Sequence, residues 1–474
     1  MTGVRQIRSR ADLQGRRALV LGLARSGVAT ARYLADASAV VTAYDRRPPT
    51  DLSDAVASLE GRSIRLALGV TEAEAQTLVA DAELLVTSPS ISPRFPTTDP
   101  WLREALAEAE ARGVELISEV ELFLRLTRAR VLAVTGTKGK TTTTALLGAI
   151  FEAAGGPHAV GGNIGQPLIE RVDELDDETW AILELSELQL PTISRGAEIA
   201  VYTNIGADHL DRHGSLTAYR AVKARLAELT AAGGGAIVLN AEDPGSRELG
   251  ARLPGDLRWY GVHQGGQPLE ARQEGDALIL SGEPLLPVSE VPLPGERMRL
   301  DVLAAALGAH LAGVPRAAIA EGIRTFGGVP HRLETIGWRD GVRWVNDSQA
   351  TIPVAAIAGL EAFAPAPVVV IAGGRGKGLD LAEVADAIAT RCRAAVLIGE
   401  SAAELEALLA RRIPVRRAAS MDEAVEIAAG LALPGDVVLL SPAAASFDMF
   451  TDYAARGDAF RRAMAALPAA ANRP

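Results

Sequence analysis

The sequence predicts an α/β protein of three domains. Its 474 residues exceed what one hydrophobic core keeps filling. Apolar runs of strand length alternate with helical stretches along most of the chain. Two of those runs end in glycine-bearing turns that open a helix, the pattern of a mostly parallel sheet with phosphate sites at its strand ends. Boundaries near Ser118 and Gly328 divide the chain into residues 1–118, 119–328 and 329–474.

In the first segment, RALVLGLARSGVATARYLADASAVVTAYD gives a strand closing at Gly22, a tight turn to Gly27, an amphipathic helix and a second strand ending at Asp45. That is a Rossmann-like opening, with Ala24 at the middle position of the glycine fingerprint, so the turn alone does not establish a dinucleotide site. Another strand runs from Glu83 to Thr87, followed by SPSISP.

The second segment opens with the strand Val131–Val134 and the loop Gly136, Thr137, Lys138, Gly139, Lys140, Thr141, Thr142. The usual phosphate loop is G-x-x-x-x-G-K-[ST]; here Val134 stands where its first glycine would be. The two glycines let successive N–H groups turn toward an anion, and the following helix adds its positive end. Lys140 is placed to reach β and γ phosphates and Thr141 to offer its hydroxyl to Mg²⁺. This is the opening of a central P-loop ATPase-type domain. A threonine-rich helix cap that binds nothing is the plain alternative.

Downstream, WAILELSELQL carries Glu184 within an apolar run, where a carboxylate requires either a metal ion or a nearby cation. A polar loop then holds Asp208, His209, Asp211 and His213, a composition suited to a metal or phosphate site, before a helix bearing Lys223. The third segment alternates strands at 368–372, 395–398 and 437–440 with helices and predicts a second Rossmann-like domain.

Composition narrows the function. A net charge of −11 opposes a general nucleic-acid surface, and Arg411, Arg412, Arg416 and Arg417 read as a solvated face. The single cysteine, Cys392, allows no internal disulfide. No apolar run is long enough to span a bilayer. The expectation is a soluble cytoplasmic monomer, with no nucleic-acid partner and no membrane insertion.

The short GTKGKTT loop, GGNIGQPL, ELS with Gln189, TNIGADHLDRH followed by Lys223, PHR at 330–332, VNDSQAT, AGGRGKG and SPAAASFDMF occur together and in order. Over nearly the whole chain they resemble the Mur ligases, the ATP-dependent amide-bond ligases of peptidoglycan precursor synthesis. The C-terminal motifs and ISEVELF look like the branch that adds D-glutamate to UDP-N-acetylmuramoyl-L-alanine through an acyl phosphate. The resemblance implies two Mg²⁺ ions, one at Thr141 and Glu184 and a second near His209, with Lys223 carbamylated so that it holds the second. An unmodified Lys223 is the alternative. It implies that Arg332 and Asp347 serve ATP. For the UDP-linked substrate it implies Ser26, Gly27, Asp45, Arg47, Ser88, Asn163, Ser186 and Gln189, Gln189 reading equally well as structural. For the amino acid it implies Thr351, Lys377, Ser446, Phe447 and Tyr453. It further implies domain closure over the acyl phosphate.

Some positions depart from that pattern. Gln349 stands where lysine is usual, Arg375 where aspartate is usual, and GERMRLDVLAA places Arg297, Met298 and Asp301 where the adenine-holding helix has His and Asn. The competing readings are an NAD-dependent dehydrogenase, suggested by Gly22, Gly27 and Asp45, a catalytically silent nucleotide-binding relative, and a ligase for another amino acid or for folate.

Overall fold

The computed structural model describes residues 7–206, 215–263, 266–292, 296–376 and 380–468, the side chain of Arg297 excepted. It is α/β, with three sheets. The first has five parallel strands in the order β3-β2-β1-β4-β5: β1 (Arg17–Leu21), β2 (Val40–Asp45), β3 (Ile64–Leu68), β4 (Leu84–Thr87) and β5 (Glu115–Ser118). Helix α1 (Arg25–Asp36) follows β1 directly. It begins two residues before Gly27, earlier than the sequence suggests. Gly27 is needed for packing: a Cβ there would stand 1.8 Å from the Gly22 carbonyl oxygen.

The second sheet has nine strands in the order β14-β13-β12-β11-β10-β9-β6-β8-β7. They are β6 (Arg130–Thr135), β7 (His158–Gly162), β8 (Trp180–Glu184), β9 (Ile199–Tyr202), β10 (Ala236–Asn240), β11 (Asp256–Gly261), β12 (Leu269–Glu274), β13 (Ala277–Leu280) and β14 (Glu283–Pro287). β7 to β12 and β6 are parallel; β13 and β14 add an antiparallel edge. Strand β6 shows why this sheet is buried on both faces. Val131 and Ala133 join a core shared with the first sheet, including Leu34, Phe123 and Leu183. Leu132 and Val134 point the other way, onto α2 (Lys140–Ala154), α4 (Glu296–Leu311) and α5 (Arg316–Thr325), where Leu146, Ile150, Leu303 and Ile323 meet them. Helix α3 (Leu216–Ala232) contributes Ala224, Leu226 and Ala227 to the first of these cores. Each Val, Leu, Ile or Phe side chain among these contributes roughly 1.5–3 kcal/mol on burial.

The third sheet has the order β15-β16-β20-β17-β18-β19: β15 (Glu334–Arg339), β16 (Val342–Asn346), β17 (Val368–Gly373), β18 (Cys392–Ile398), β19 (Val415–Arg417) and β20 (Val437–Leu440). Only the β15–β16 pair is antiparallel. Val368 and Val370 face one core, Val369 and Ile371 the other. Helix α6 (Tyr453–Ala466) covers the second of these with Phe460. The chain forms two compact units, Met1–Phe326 with the first two sheets and Gly327–Pro474 with the third. Among the described residues no helix is long and apolar enough to cross a membrane.

Candidate active site

In the first unit, the ends of β6, β7 and β8 and the start of α2 meet at one place, the carboxyl edge of a parallel sheet, where open α/β folds bind ligands. Val134 pairs with Glu184, and Gly162 pairs with Glu184 from the other side. The loop leaving β6 turns through Gly136 (φ +150°) and Gly139 (φ +89°). A Cβ at Gly136 would lie 2.0 Å from Thr203 Oγ1, so this glycine is fixed by close approach as well as by conformation. Gly139 caps α2 without a side chain, which leaves the helix's first N–H groups turned to the site.

The loop is held from below by residues with no obvious mark in the sequence. Thr137 N–H donates to the Asn204 carbonyl (2.8 Å), and Lys138 N–H donates to Asn204 Oδ1 (3.0 Å). Thr203 Oγ1 donates to the Lys138 carbonyl (2.6 Å), and Thr137 Oγ1 lies 3.0 Å from the Tyr219 hydroxyl. Asn204 belongs to TNIGADHLDRH, and its position two residues past β9, bonded to the loop, is the signal that marks it. Lys140 folds over the loop and donates from Nζ to the carbonyls of Gly136 (3.0 Å) and Thr137 (3.1 Å). Thr141 and Thr142 sit half-buried in the first turn of α2.

Glu184 is buried, 1 % exposed, with no cation paired to it among the described residues. Its Oε1 accepts from Asn163 Nδ2 at 2.8 Å, while Oε2 is buried without a hydrogen-bond partner among the described residues. An orphaned carboxylate oxygen beside a phosphate loop suits a divalent cation, whose oxygen ligands are of this type. Asn163 therefore supports Glu184 directly, and its N–H also donates to the Glu184 carbonyl (2.9 Å).

Lys223, on α3, is fully buried and reaches the same loop from the opposite side. Its Nζ donates to the Gly136 carbonyl (3.0 Å) and to Thr135 Oγ1 (3.3 Å), lies over the Tyr219 ring and stands 3.8 Å from Glu187 Oε2. Glu187, three residues past Glu184, is a neighbour the sequence reading did not single out. His209 lies outside the described residues. Ser186 and Gln189 are buried and bonded to each other: Gln189 Oε1 accepts from the Ser186 N–H and hydroxyl, both at 3.0 Å. Gln189 thus holds the turn after β8.

At the edge of the first sheet, a cavity of about 340 Å³ is lined by Gly22, Asp45, Arg47, Ser88 and Thr98 among others. Asp45 is saturated: it accepts from Leu23 N–H (2.9 Å) and from the Arg47 N–H, Nε and Nη2. Burial pushes its carboxyl up, but the Arg47 and Leu23 hydrogen bonds outweigh that and hold it below the usual range. A ribose hydroxyl would compete with these bonds, which counts against the dehydrogenase reading. Ser26 is half-buried in the first turn of α1 and Gly27 is buried beneath it.

In the second unit, Arg332 is exposed between His331 (φ +62°) and Leu333 (φ +48°), two left-handed non-glycine residues. Asp347 is 4 % exposed at the end of β16, accepting from Ser441 Oγ (2.8 Å) and Leu333 N–H (3.1 Å). Burial pushes its carboxyl up to about 6 despite these bonds and the nearby Arg332 charge. Ser446 is buried, Tyr453 and Thr351 are half-buried, and Phe447 is 63 % exposed. Fully buried Arg456, at the first turns of α6, binds Ser348 Oγ and O (both 2.9 Å) and the Ala444 carbonyl (3.0 Å), so it ties the VNDSQAT turn to SPAAASF. Lys377 lies outside the described residues. Arg375 and Gln349 are both exposed; the Arg375 N–H donates to the Ala445 carbonyl (2.8 Å), next to Ser446.

UDP-N-acetylmuramoylalanine–D-glutamate ligase of Solibacter usitatus is 41 % identical over 452 residues, covering 95 % of this chain and 98 % of its own. The protein of that name from Gloeobacter violaceus is 40 % identical over 457 residues, covering 94 % and 98 %. The solved structure of UDP-N-acetylmuramate-alanine ligase from Thermotoga maritima shares the fold, with a TM-score of 0.56 at 19 % identity, over 94 % of this chain and 98 % of that one. The family model of the Mur ligase middle domain matches residues 134–309, and that of the Mur ligase glutamate ligase domain matches 331–444. With the short phosphate loop and Glu184 inside the first match, the chain belongs to the Mur ligase family.

Proposed function

We propose that the chain joins D-glutamate to UDP-N-acetylmuramoyl-L-alanine at the expense of ATP, a step of peptidoglycan precursor synthesis. The observation that carries the reading is Glu184 Oε2, a buried carboxylate oxygen beside a phosphate loop with no hydrogen-bond partner among the described residues. A silent scaffold has no need of it.

The alanyl carboxylate attacks the γ-phosphorus of ATP, the bond to the β-γ bridging oxygen breaks, and ADP and an acyl phosphate result. The amine of D-glutamate then attacks the acyl carbon and loses a proton, and the tetrahedral adduct expels phosphate to leave the amide. The loop N–H groups and Lys140 orient the phosphates. On binding ATP, Lys140 exchanges the carbonyls of Gly136 and Thr137 for phosphate oxygens. Thr141 and Glu184 would hold one Mg²⁺, and His209 with carbamylated Lys223 a second; bound there, the ions neutralise the crowded anions. Lys223 is a buried ammonium within 3.8 Å of Glu187, so carbamylation requires it to lose its proton beside that carboxylate. The cavity at Asp45, Arg47 and Ser88 receives the uridine end, with the N-terminus of α1 toward the diphosphate. Asn163 and Ser186 border the muramoyl end. In the second unit Asp347 and Arg332 serve the nucleotide, and Thr351, Lys377, Ser446, Phe447 and Tyr453 the amino acid. ATP and a UDP-linked acceptor suit the cytoplasm, and the reading requires only a monomer.

The test is phosphate release by the purified chain with ATP, Mg²⁺, UDP-N-acetylmuramoyl-L-alanine and a panel of amino acids. Release dependent on both acceptor and D-glutamate is expected. Release with another amino acid, or none with any acceptor, would reject the assignment.

A further inference from the structure

In the second unit, the backbone brings Arg375 to the turn that holds Ser446. Past the ends of β17 and β20 the chain is stitched to its neighbours: Gly373 N–H donates to the Pro442 carbonyl (2.8 Å), Ala443 N–H to the Ala350 carbonyl (2.9 Å) and Arg375 N–H to the Ala445 carbonyl (2.8 Å). Arg375 and Ala445 form an isolated antiparallel bridge. Gln349, beside Ala350, and Arg375 therefore flank one short strip, Ala443 to Ala445, which leads into buried Ser446. Gly374 leaves no room for a side chain, since a Cβ there would lie 2.3 Å from the Ala445 carbonyl oxygen. Arg375 is the first residue past that close approach to carry one.

The neighbouring charges are held elsewhere. Buried Arg456 spends Nε, Nη1 and Nη2 on Ser348 Oγ, the Ala444 carbonyl and the Ser348 carbonyl. Asp448 Oδ2 accepts from the Glu400 N–H (2.9 Å), and the Asp448 charge acts on Arg456, opposing the burial that lowers that guanidinium. Among the described residues no ion pair joins Arg375 to Asp448 or to exposed Glu400, and the exposed Arg375 guanidinium makes no hydrogen bond.

We propose that Arg375 is a further substrate-binding residue, whose guanidinium takes a carboxylate of the incoming dicarboxylic amino acid at a subsite that position 349 also borders. This rests on the reading of the Ser446 turn as the amino-acid site. Hydroxyl and N–H donors there are neutral, whereas a guanidinium forms paired, charge-assisted hydrogen bonds to a carboxylate. Exposed Gln349 offers an amide to the same strip but no charge. The cation absent at 349 is supplied from 375.

Steady-state kinetics of the full chain, with ATP, Mg²⁺ and UDP-N-acetylmuramoyl-L-alanine saturating and D-glutamate varied, separates binding from turnover. Arg375→Gln keeps the backbone bridge to Ala445 and is expected to raise KM for D-glutamate at least about tenfold, with kcat changed less than about twofold. Arg375→Lys, which keeps the charge and loses the fork, should fall between the two. Adding Gln349→Lys to Arg375→Gln returns a cation from the other side of the strip and should lower the raised KM again by about threefold or more. An unchanged KM in Arg375→Gln, a raised KM that Gln349→Lys does not lower, or a loss of kcat alone shared by Arg375→Lys would overturn the inference. If the unaltered chain shows no turnover with D-glutamate, the proposed function fails and this inference with it; turnover with a KM indifferent to Arg375 removes the inference alone.

Discussion

At the residue scale, two side chains around the loop separate chemistry from folding. Lys140 spends its hydrogen bonds on loop carbonyls it can exchange for phosphate, so Lys140→Ala should leave the melting temperature nearly unchanged and abolish ATP binding by calorimetry. Lys223 is the opposite case. It is fully buried and bonded to Gly136 and Thr135, so its removal also loosens the loop. Lys223→Ala should lose turnover, and short-chain carboxylates should restore part of it if a carbamate is what the site lacks; full activity without them would reject carbamylation. Asp347 links charge to stability. Its folded pKa is raised from 3.8 to about 6, so the folded state binds the proton more tightly than the unfolded chain. Its stabilising effect is therefore complete below about pH 4 and is lost as pH rises through 6, an effect of about 3 kcal/mol. Asp347→Asn should flatten that part of the stability curve of the second unit, as followed by chemical denaturation at a series of pH values.

At the element scale, the strands and the loop were legible because period and glycine spacing are local. Val131–Val134 is found as β6 with one residue more at each end, and the helix after the loop is found as α2, starting at Lys140. The alternation of β6 between two cores could not be read, since four apolar residues in a row carry no period. Nor could Asn204, Tyr219 and Asp301, whose roles arise only when β9, α3 and α4 are brought beneath the loop. Glu119 is a similar case. Within ISEVELF it opens the helix at 119–126 and is buried, accepting from Ile169 N–H (3.3 Å). Burial, opposed by that bond, raises its carboxyl to about 7. Glu119→Gln keeps the shape without the charge, so the first unit should gain stability above pH 7 and little below pH 5; equal gains at both would show a packing effect instead.

At the scale of the whole molecule, the residues proposed to bind substrates are divided unevenly between the two compact units. The short loop, Glu184, Lys223 and the cavity at Asp45 all belong to the unit ending at Phe326, and Asp347, Ser446 and Tyr453 to the unit from Gly327. The first unit's two sheets share one continuous core, from Leu34 through Phe123 to Leu183, so they should melt as one cooperative body. The third sheet has its own pair of cores and should melt as another. A ligand that binds only folded protein stabilises the body that holds it, by about 2.7 kcal/mol at a hundredfold excess over its dissociation constant. Differential scanning calorimetry should then show two transitions, with ATP and Mg²⁺ together raising that of the first unit. In Lys140→Ala that rise should vanish while both transitions remain. A single transition shifted as a whole would mean that the units fold as one, and that nucleotide bound to the first also stabilises the second.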